Sequence, residues 1–171
     1  MNADQIAHLL PEFWRDARRP NSPQDALFDV MAGLLTPAEH QINTIDVSLD
    51  PLRCPKAMLP FLVRMMGLEP LLPFTGAQDG HIDTNALRLV LAEAPHLLDR
   101  RGTNTGIMRA LTLAVGPGFM IDETSALAGQ FHVTIQCPDG TQSAGALIDA
   151  VTRLFKPAHI THDLRWPDPD E

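Results

Sequence analysis

The sequence predicts an α+β fold, with helices over the N-terminal two-thirds of the chain and a small β-β-α-β sheet layer after them. Three observations support this fold class. Apolar residues recur at helical spacing as far as Val115, strict alternation appears only beyond Gly116-Pro117-Gly118, and one helical segment separates the last two alternating runs. The composition, 44% hydrophobic and 20% charged, is typical of an ordered globular chain.

Glycine and proline divide the chain into four predicted regions. We expect an N-terminal helical arm over residues 1–50, a helical middle region over 51–116, a small α+β region over 117–166 and an acidic tail over 167–171. The first inner boundary falls at Asp50-Pro51, because a pair of this kind forms turns and ends helices.

The arm contains two predicted helical stretches. The first covers residues 4–16, with Pro11 as a kink or a break. Its apolar residues share one face: Ile6, Leu9, Leu10, Phe13 and Trp14. The second begins at Ser22-Pro23, where a hydroxyl cap precedes a proline in the first turn. Thr36-Pro37 repeats this pattern, with Glu39 placed for a capping box, so either two helices abut there or one long helix is kinked.

An apolar stripe runs along the second stretch at spacings of four and three residues. Its members are Leu27, Met31, Leu34, Ala38, Ile42, Ile45 and Leu49. Together they form an eleven-residue repeat, the period of a nearly straight or slightly right-handed helical bundle. Any amphipathic helix shows similar spacing locally, so packing on the chain's own core is the alternative. We favour packing against other chains, with a predicted interface made of Leu27, Met31, Leu34, Ile42 and Ile45.

Further helices are predicted for the middle region. One covers residues 55–66, and an irregular loop over residues 69–80 follows it. Asp83 caps the next helix, and Thr103 or Thr105 caps another after a glycine break. The helix that Asp83 caps buries five apolar residues: Leu87, Val90, Leu91, Ala94 and Leu98.

The C-terminal region changes to the period of strands. Strands are predicted at residues 119–122, 130–137 and 160–166, with a helix over residues 143–155 between the last two. The second strand alternates cleanly and is predicted to be half-buried, with four residues on its inner side: Phe131, Val133, Ile135 and Cys137.

The charge of the chain argues against two classes of partner. The formal net charge is -8 and the sequence pI is about 5.2, and no basic cluster exceeds the pairs Arg18-Arg19 and Arg100-Arg101. Nucleic acids and anionic membrane surfaces both select basic patches, so we expect neither as a partner. No apolar run is long enough for a membrane span, and we expect the chain in the bacterial cytoplasm or in a particle assembled there.

Motifs for catalysis or metal binding are weak. His159-x-x-His162-Asp163 and Asp79-Gly80-His81-x-Asp83 contain metal-ligating residue types, which leaves a metal-dependent hydrolase as an alternative function. However, residues 159 and 162 of a strand point to opposite faces. Cys54 and Cys137 match no disulfide or zinc pattern. We therefore expect no enzyme activity, no metal and no cofactor, and a stand-alone helical adaptor is a further alternative.

Several short motifs, spread over roughly residues 5–165, follow one another in the order found in a known protein family. These motifs are Leu9-Leu10-Pro11, Asp50-Pro51, Leu59-Pro60-Phe61-Leu62, Met66-Gly67-Leu68, the run from Leu97 to Ile107, Gly116-Pro117 and Lys156-Pro157-Ala158-His159. The most specific is Arg101-Gly102-Thr103 with Gly106 three residues on. In this order they resemble the phage tail protein I family. Two departures are Pro37 inside a helix and a missing tryptophan near the end of residues 69–81.

The resemblance implies a structural role. Members of that family are baseplate wedge components of contractile phage tails, tailocins and injection systems. It implies that the N-terminal helical part joins a bundle with two copies of a baseplate J-like wedge protein, and that the C-terminal part meets equivalent domains of those copies. Further expected partners are the sheath initiator and the hub, and the expected location is the baseplate of the assembled particle.

Overall fold

The computed structural model describes residues 2–76, 78–123 and 131–167. The helices are α1 (Ala3–His8), α2 (Glu12–Asp16), α3 (Pro23–Asn43), α4 (Ile45–Leu49), α5 (Leu59–Met65), α6 (Thr84–Asp99), α7 (Asn104–Ala114) and α8 (Gly145–Phe155). The strands are β1 (Met120–Asp122), β2 (His132–Gln136) and β3 (Thr161–Arg165). This order of helices followed by a small sheet confirms the predicted α+β class.

The chain divides into two compact units, an N-terminal unit (Met1–Ser48) and a C-terminal unit (Leu49–Glu171). In the N-terminal unit, α3 begins where predicted, since the Ser22 hydroxyl oxygen accepts a hydrogen bond from the Asp25 amide at 3.1 Å. The helix then continues through Pro37. A second helix start at Thr36 is absent from this helix, because the Thr36 hydroxyl donates to the Ala32 carbonyl at 2.8 Å instead of capping.

The core of the N-terminal unit is small. Its buried residues are Ile6, Ala7 and Phe28, and three partly buried residues pack on them: Ala3, Leu10 and Ala32. The predicted common face of the first stretch is only partly correct, because Leu9, Phe13 and Trp14 are exposed. Pro11 separates α1 from α2, so the apolar residues of the two short helices do not continue one face.

The C-terminal unit has one continuous core built by helices α5 to α8 and the sheet. Within the described residues the sheet has the order β1-β2-β3, with β1 antiparallel and β3 parallel to β2. Helix α8 makes the crossover between the two parallel strands, as the predicted β-β-α-β order requires. Ile135 of β2 is fully buried between Ile121 of β1 and Leu164 of β3.

Three local predictions need correction. Residues 69–80 are not wholly irregular, because Glu69–Phe74 forms a 3-10 helix that buries Leu71. In α6, Leu97 is buried and Leu98 only partly so. Phe131, predicted to lie on the inner side of the second strand, is 69% exposed: β2 begins only at His132, and the Phe131 ring lies edge-on to the His159 ring with the ring centres 5.2 Å apart. The predicted strand position 130 and the tail residues 168–171 lie outside the described part of the chain.

Candidate partner-binding surface and family motif

The predicted interface residues lie on the exposed side of α3 and α4. Leu27, Met31, Leu34 and Ile42 belong to α3 and Ile45 to α4, and all five are exposed, Leu34 by 75% and Ile42 by 69%. Sequence periodicity missed two neighbours, Val30 and Leu35, which are exposed as well. We call the five predicted residues the apolar stripe.

The apolar stripe and the core of the N-terminal unit occupy different sides of α3. Each residue turns a helix by about 100°, so the stripe lies about a quarter turn from the side of Phe28 and Ala32. That second side packs on α1, with Phe28 2% exposed. One side of α3 therefore packs on α1 within the N-terminal unit, and a second apolar side is exposed to solvent. Exposed apolar surface of this kind is typical of interaction sites.

Arg18 fastens the start of α3 to α1. Its guanidinium donates to Asp4 at 2.5 Å and to Asp25 at 2.6 Å, and it lies 5.7 Å from the centre of the Phe28 ring. The hydrogen bonds to Asp4 and Asp25 raise the pKa of Arg18, and the bond from Arg18 lowers the pKa of Asp25. Sequence reasoning placed Arg18 in a link and missed this role, because the partners are seven and fourteen residues away.

The residues of the family motif meet at the turn between α6 and α7. The Gly102 amide donates to the Phe155 carbonyl at the end of α8 at 2.8 Å, and Gly102 has a φ of +86°, a conformation that favours glycine. The Thr103 hydroxyl accepts from the Gly106 amide at 3.1 Å, which settles the predicted choice of cap in favour of Thr103. The same hydroxyl donates to the Arg100 carbonyl at 2.7 Å.

Gly106 allows a close approach of two backbone segments. A methyl group at this position would overlap the carbonyl oxygen of Arg100. Arg101 is exposed, and its side chain has no hydrogen-bond or ion-pair partner within the described part of the chain. Gly102, Thr103 and Gly106 thus form a tight turn that Gly102 joins to the end of α8 in the C-terminal unit, whereas the apolar stripe lies in the N-terminal unit.

Comparison with known families agrees with this arrangement. A family model described as phage tail protein (Tail_P2_I) matches residues 21–159, which is most of the chain and includes the motif turn. The chain belongs to this phage tail protein family. The predicted resemblance is thereby confirmed, and family membership indicates a structural role in a phage tail. No curated protein matches the sequence.

One of the possible metal ligands of this phage tail protein, His162, is paired with Asp149. His162 is nearly buried, and its Nε2 lies 3.0 Å from Oδ1 of Asp149. Burial lowers the pKa of His162 despite the bond with Asp149, which raises it. Among residues 2–76, 78–123 and 131–167, no group of three or more His, Cys, Asp or Glu side chains is arranged to hold a metal ion.

The two thiols of this phage tail protein belong to the core of the C-terminal unit. Cys54 and Cys137 are both buried and free, and burial raises the pKa of the Cys137 thiol. Arg88 stabilises the chain around Cys54, because its guanidinium donates to the Pro51 carbonyl at 2.6 Å and to the Cys54 carbonyl at 2.8 Å. None of the described helices is long and apolar enough to cross a membrane.

Proposed function

We propose that this chain is a baseplate wedge subunit of a contractile phage tail, a tailocin or a related injection system, and that its apolar stripe packs against helices of a J-like wedge protein. The main support is the exposure of all five predicted interface residues on one side of α3 and α4. The packing of Phe28 on α1 supports it further, because the helix needs no additional apolar contact within its own unit.

Burial of the stripe provides the driving force for this assembly. Removing an exposed aliphatic side chain from water contributes on the order of 1 kcal/mol or more, and several such residues in a row define the register of helix packing. The family resemblance adds the expected stoichiometry of two J-like copies for each copy of this chain. It also adds contacts with the sheath initiator and the hub, and assembly in the bacterial cytoplasm.

Co-expression with the J-like protein from the same gene cluster tests this proposal. We expect the two proteins to co-purify, and the mass of the complex to correspond to one copy of this chain and two copies of the partner. A mixture in which this chain elutes alone, at its own mass of 18.8 kDa, would contradict the proposal.

A further inference from the structure

We infer that the turn between α6 and α7 binds an acidic segment of a partner protein, with an Asp or Glu side chain of that segment held by the guanidinium groups of Arg100 and Arg101. This surface lies on the C-terminal unit and shares no residue with the apolar stripe. The inference rests on the proposed function, because the partner belongs to the same particle, and it specifies the chemistry of a second contact.

Arg101 is the motif residue whose side chain the fold of the chain does not use. The other three, Gly102, Thr103 and Gly106, form the turn itself. The Arg101 side chain is exposed and forms no hydrogen bond or ion pair with residues 2–76, 78–123 and 131–167. The neighbouring side chain of Arg100 is exposed and unpaired over the same ranges. Two adjacent guanidinium groups are therefore available to another molecule.

The acidic side chains around the turn are not paired with these two arginines. Glu93 of α6 is occupied by Arg109 of α7, which donates to it from Nε at 2.8 Å and also from a terminal nitrogen. Glu123 accepts a hydrogen bond at 3.4 Å from a side-chain amide at the start of α7. Asp99 directly precedes Arg100 in the sequence, yet it bonds to neither arginine within the described part of the chain. The turn thus carries two positive charges without a paired carboxylate, on a chain whose formal net charge is -8.

A surface cavity of about 310 Å³ lies beside the turn, between α6 and α7. Its polar lining includes His96, Arg100, Thr105 and Arg109. Because Arg109 is engaged with Glu93, the acid in the same lining, Arg100 provides the free charge. The Thr105 hydroxyl adds a neutral hydrogen-bond donor. An acidic side chain that enters this cavity meets a guanidinium group and a hydroxyl group, and the one acid there is already paired.

The backbone that carries the two arginines is fixed in the isolated chain. The Gly102 amide bonds to the Phe155 carbonyl at 2.8 Å, and the Thr103 hydroxyl bonds to the Arg100 carbonyl at 2.7 Å. Binding to a fixed backbone costs less conformational entropy than binding to a flexible loop, so the turn is preorganised for a partner. Contact through these side chains leaves the hydrogen-bonded amides of α6 and α7 within their own helices.

Two guanidinium groups match the carboxylates of a protein better than a nucleic acid. A guanidinium group donates two parallel hydrogen bonds to one carboxylate, and such charge-assisted bonds are stronger than neutral ones. A nucleic acid requires an extended basic surface that neutralises several phosphates, and no basic cluster of this sequence exceeds a pair. A short acidic protein segment needs only this local positive site, which also counteracts the repulsion between two acidic chains.

Charge reversal at the turn tests the inference. We compare Arg101→Glu with Arg64→Glu, because both arginines are exposed, unpaired within the described residues and part of the C-terminal unit. At low salt, the affinity for the J-like protein should fall at least about tenfold for Arg101→Glu and change by less than about twofold for Arg64→Glu. Arg101→Lys keeps the charge but loses the planar pair of donors, so we expect a loss of about threefold. These differences should shrink at about 1 M salt.

Zero-length crosslinking identifies the bound carboxylate directly. A carbodiimide joins an amine to a carboxylate in contact with it, so the complex of the Arg101→Lys variant with the J-like protein should give a link from position 101 to an Asp or Glu of the J-like protein. Mass spectrometry of the linked peptides measures this result.

Three outcomes would overturn the inference. The first is equal affinity of Arg101→Glu and Arg64→Glu for the J-like protein. The second is a set of links from position 101 that reach only acids of this chain, such as Asp99. The third is binding of duplex DNA that depends on Arg101, because the occupant of the turn would then be a nucleic acid. Failure of the proposed function has a different signature, since the wild-type chain then forms no complex with the J-like protein at any salt concentration, and both proposals fall together.

Discussion

The substitution Leu34→Asp is expected to abolish the complex with the J-like protein while leaving the isolated chain folded. Leu34 is 75% exposed, so the fold depends little on its contacts. In the complex the carboxylate would lie within an apolar helix interface, and burying an unpaired charge costs about 3 kcal/mol or more, a loss of affinity of roughly a hundredfold. Co-purification and circular dichroism measure the two parts of this prediction.

Leu9→Asp is the matched control for Leu34→Asp. Leu9 is 74% exposed and lies at the end of α1, outside the apolar stripe. The same chemical change there should leave co-purification with the J-like protein unaltered. If both variants bound as well as the wild type, the stripe would not be the interface. If both lost binding, the effect would belong to added charge and not to the position of Leu34.

Gly106→Ala should destabilise the C-terminal unit by about 2–4 kcal/mol. The added methyl group would overlap the Arg100 carbonyl oxygen, which is held by the Thr103 hydroxyl, so backbone must move on one side of the turn. This cost exceeds the gain of about 1 kcal/mol that alanine usually gives over glycine in a helix. Urea denaturation followed by circular dichroism measures the change in the free energy of unfolding.

Gly145→Ala provides the comparison for Gly106→Ala within the same unit. Gly145 also lies in the first turn of a helix, and a methyl group there would meet only the Trp166 ring at 3.4 Å, an ordinary contact. We expect a change in unfolding free energy within about 1 kcal/mol. A Gly106→Ala protein as stable as Gly145→Ala would show that the turn between α6 and α7 tolerates a side chain.

Helix starts were the most predictable part of the fold. Ser22, Asp83 and Thr103 each cap the helix that the sequence indicated, and each bonds to a backbone amide two or three residues further on. Such bonds depend on a few neighbouring residues, so the sequence contains all the information they need. The order of helices and strands was predictable for a similar reason, since helical spacing and strict alternation differ within a short segment.

The remaining features depend on contacts between distant residues. Thr36-Pro37 has the composition of a helix start, yet α3 continues through it. Arg18 gains its role only when α1 and α3 are adjacent. Periodicity identified the apolar stripe but could not tell which side of α3 packs within the chain, and in the structure the side of Phe28 packs on α1. Local patterns carry no information about such partners.

Amide hydrogen exchange provides the most direct test of the claim that the apolar stripe is buried by partner helices. Exchange is measured over residues 23–49 and 84–114 in the isolated chain and in its complex with the J-like protein. Burial of a helix in a bundle suppresses the local opening that exchange requires. The predicted result is much slower exchange in α3 and α4 with little change in α6 and α7. Unchanged exchange over residues 23–49 in a stable complex would contradict the claim.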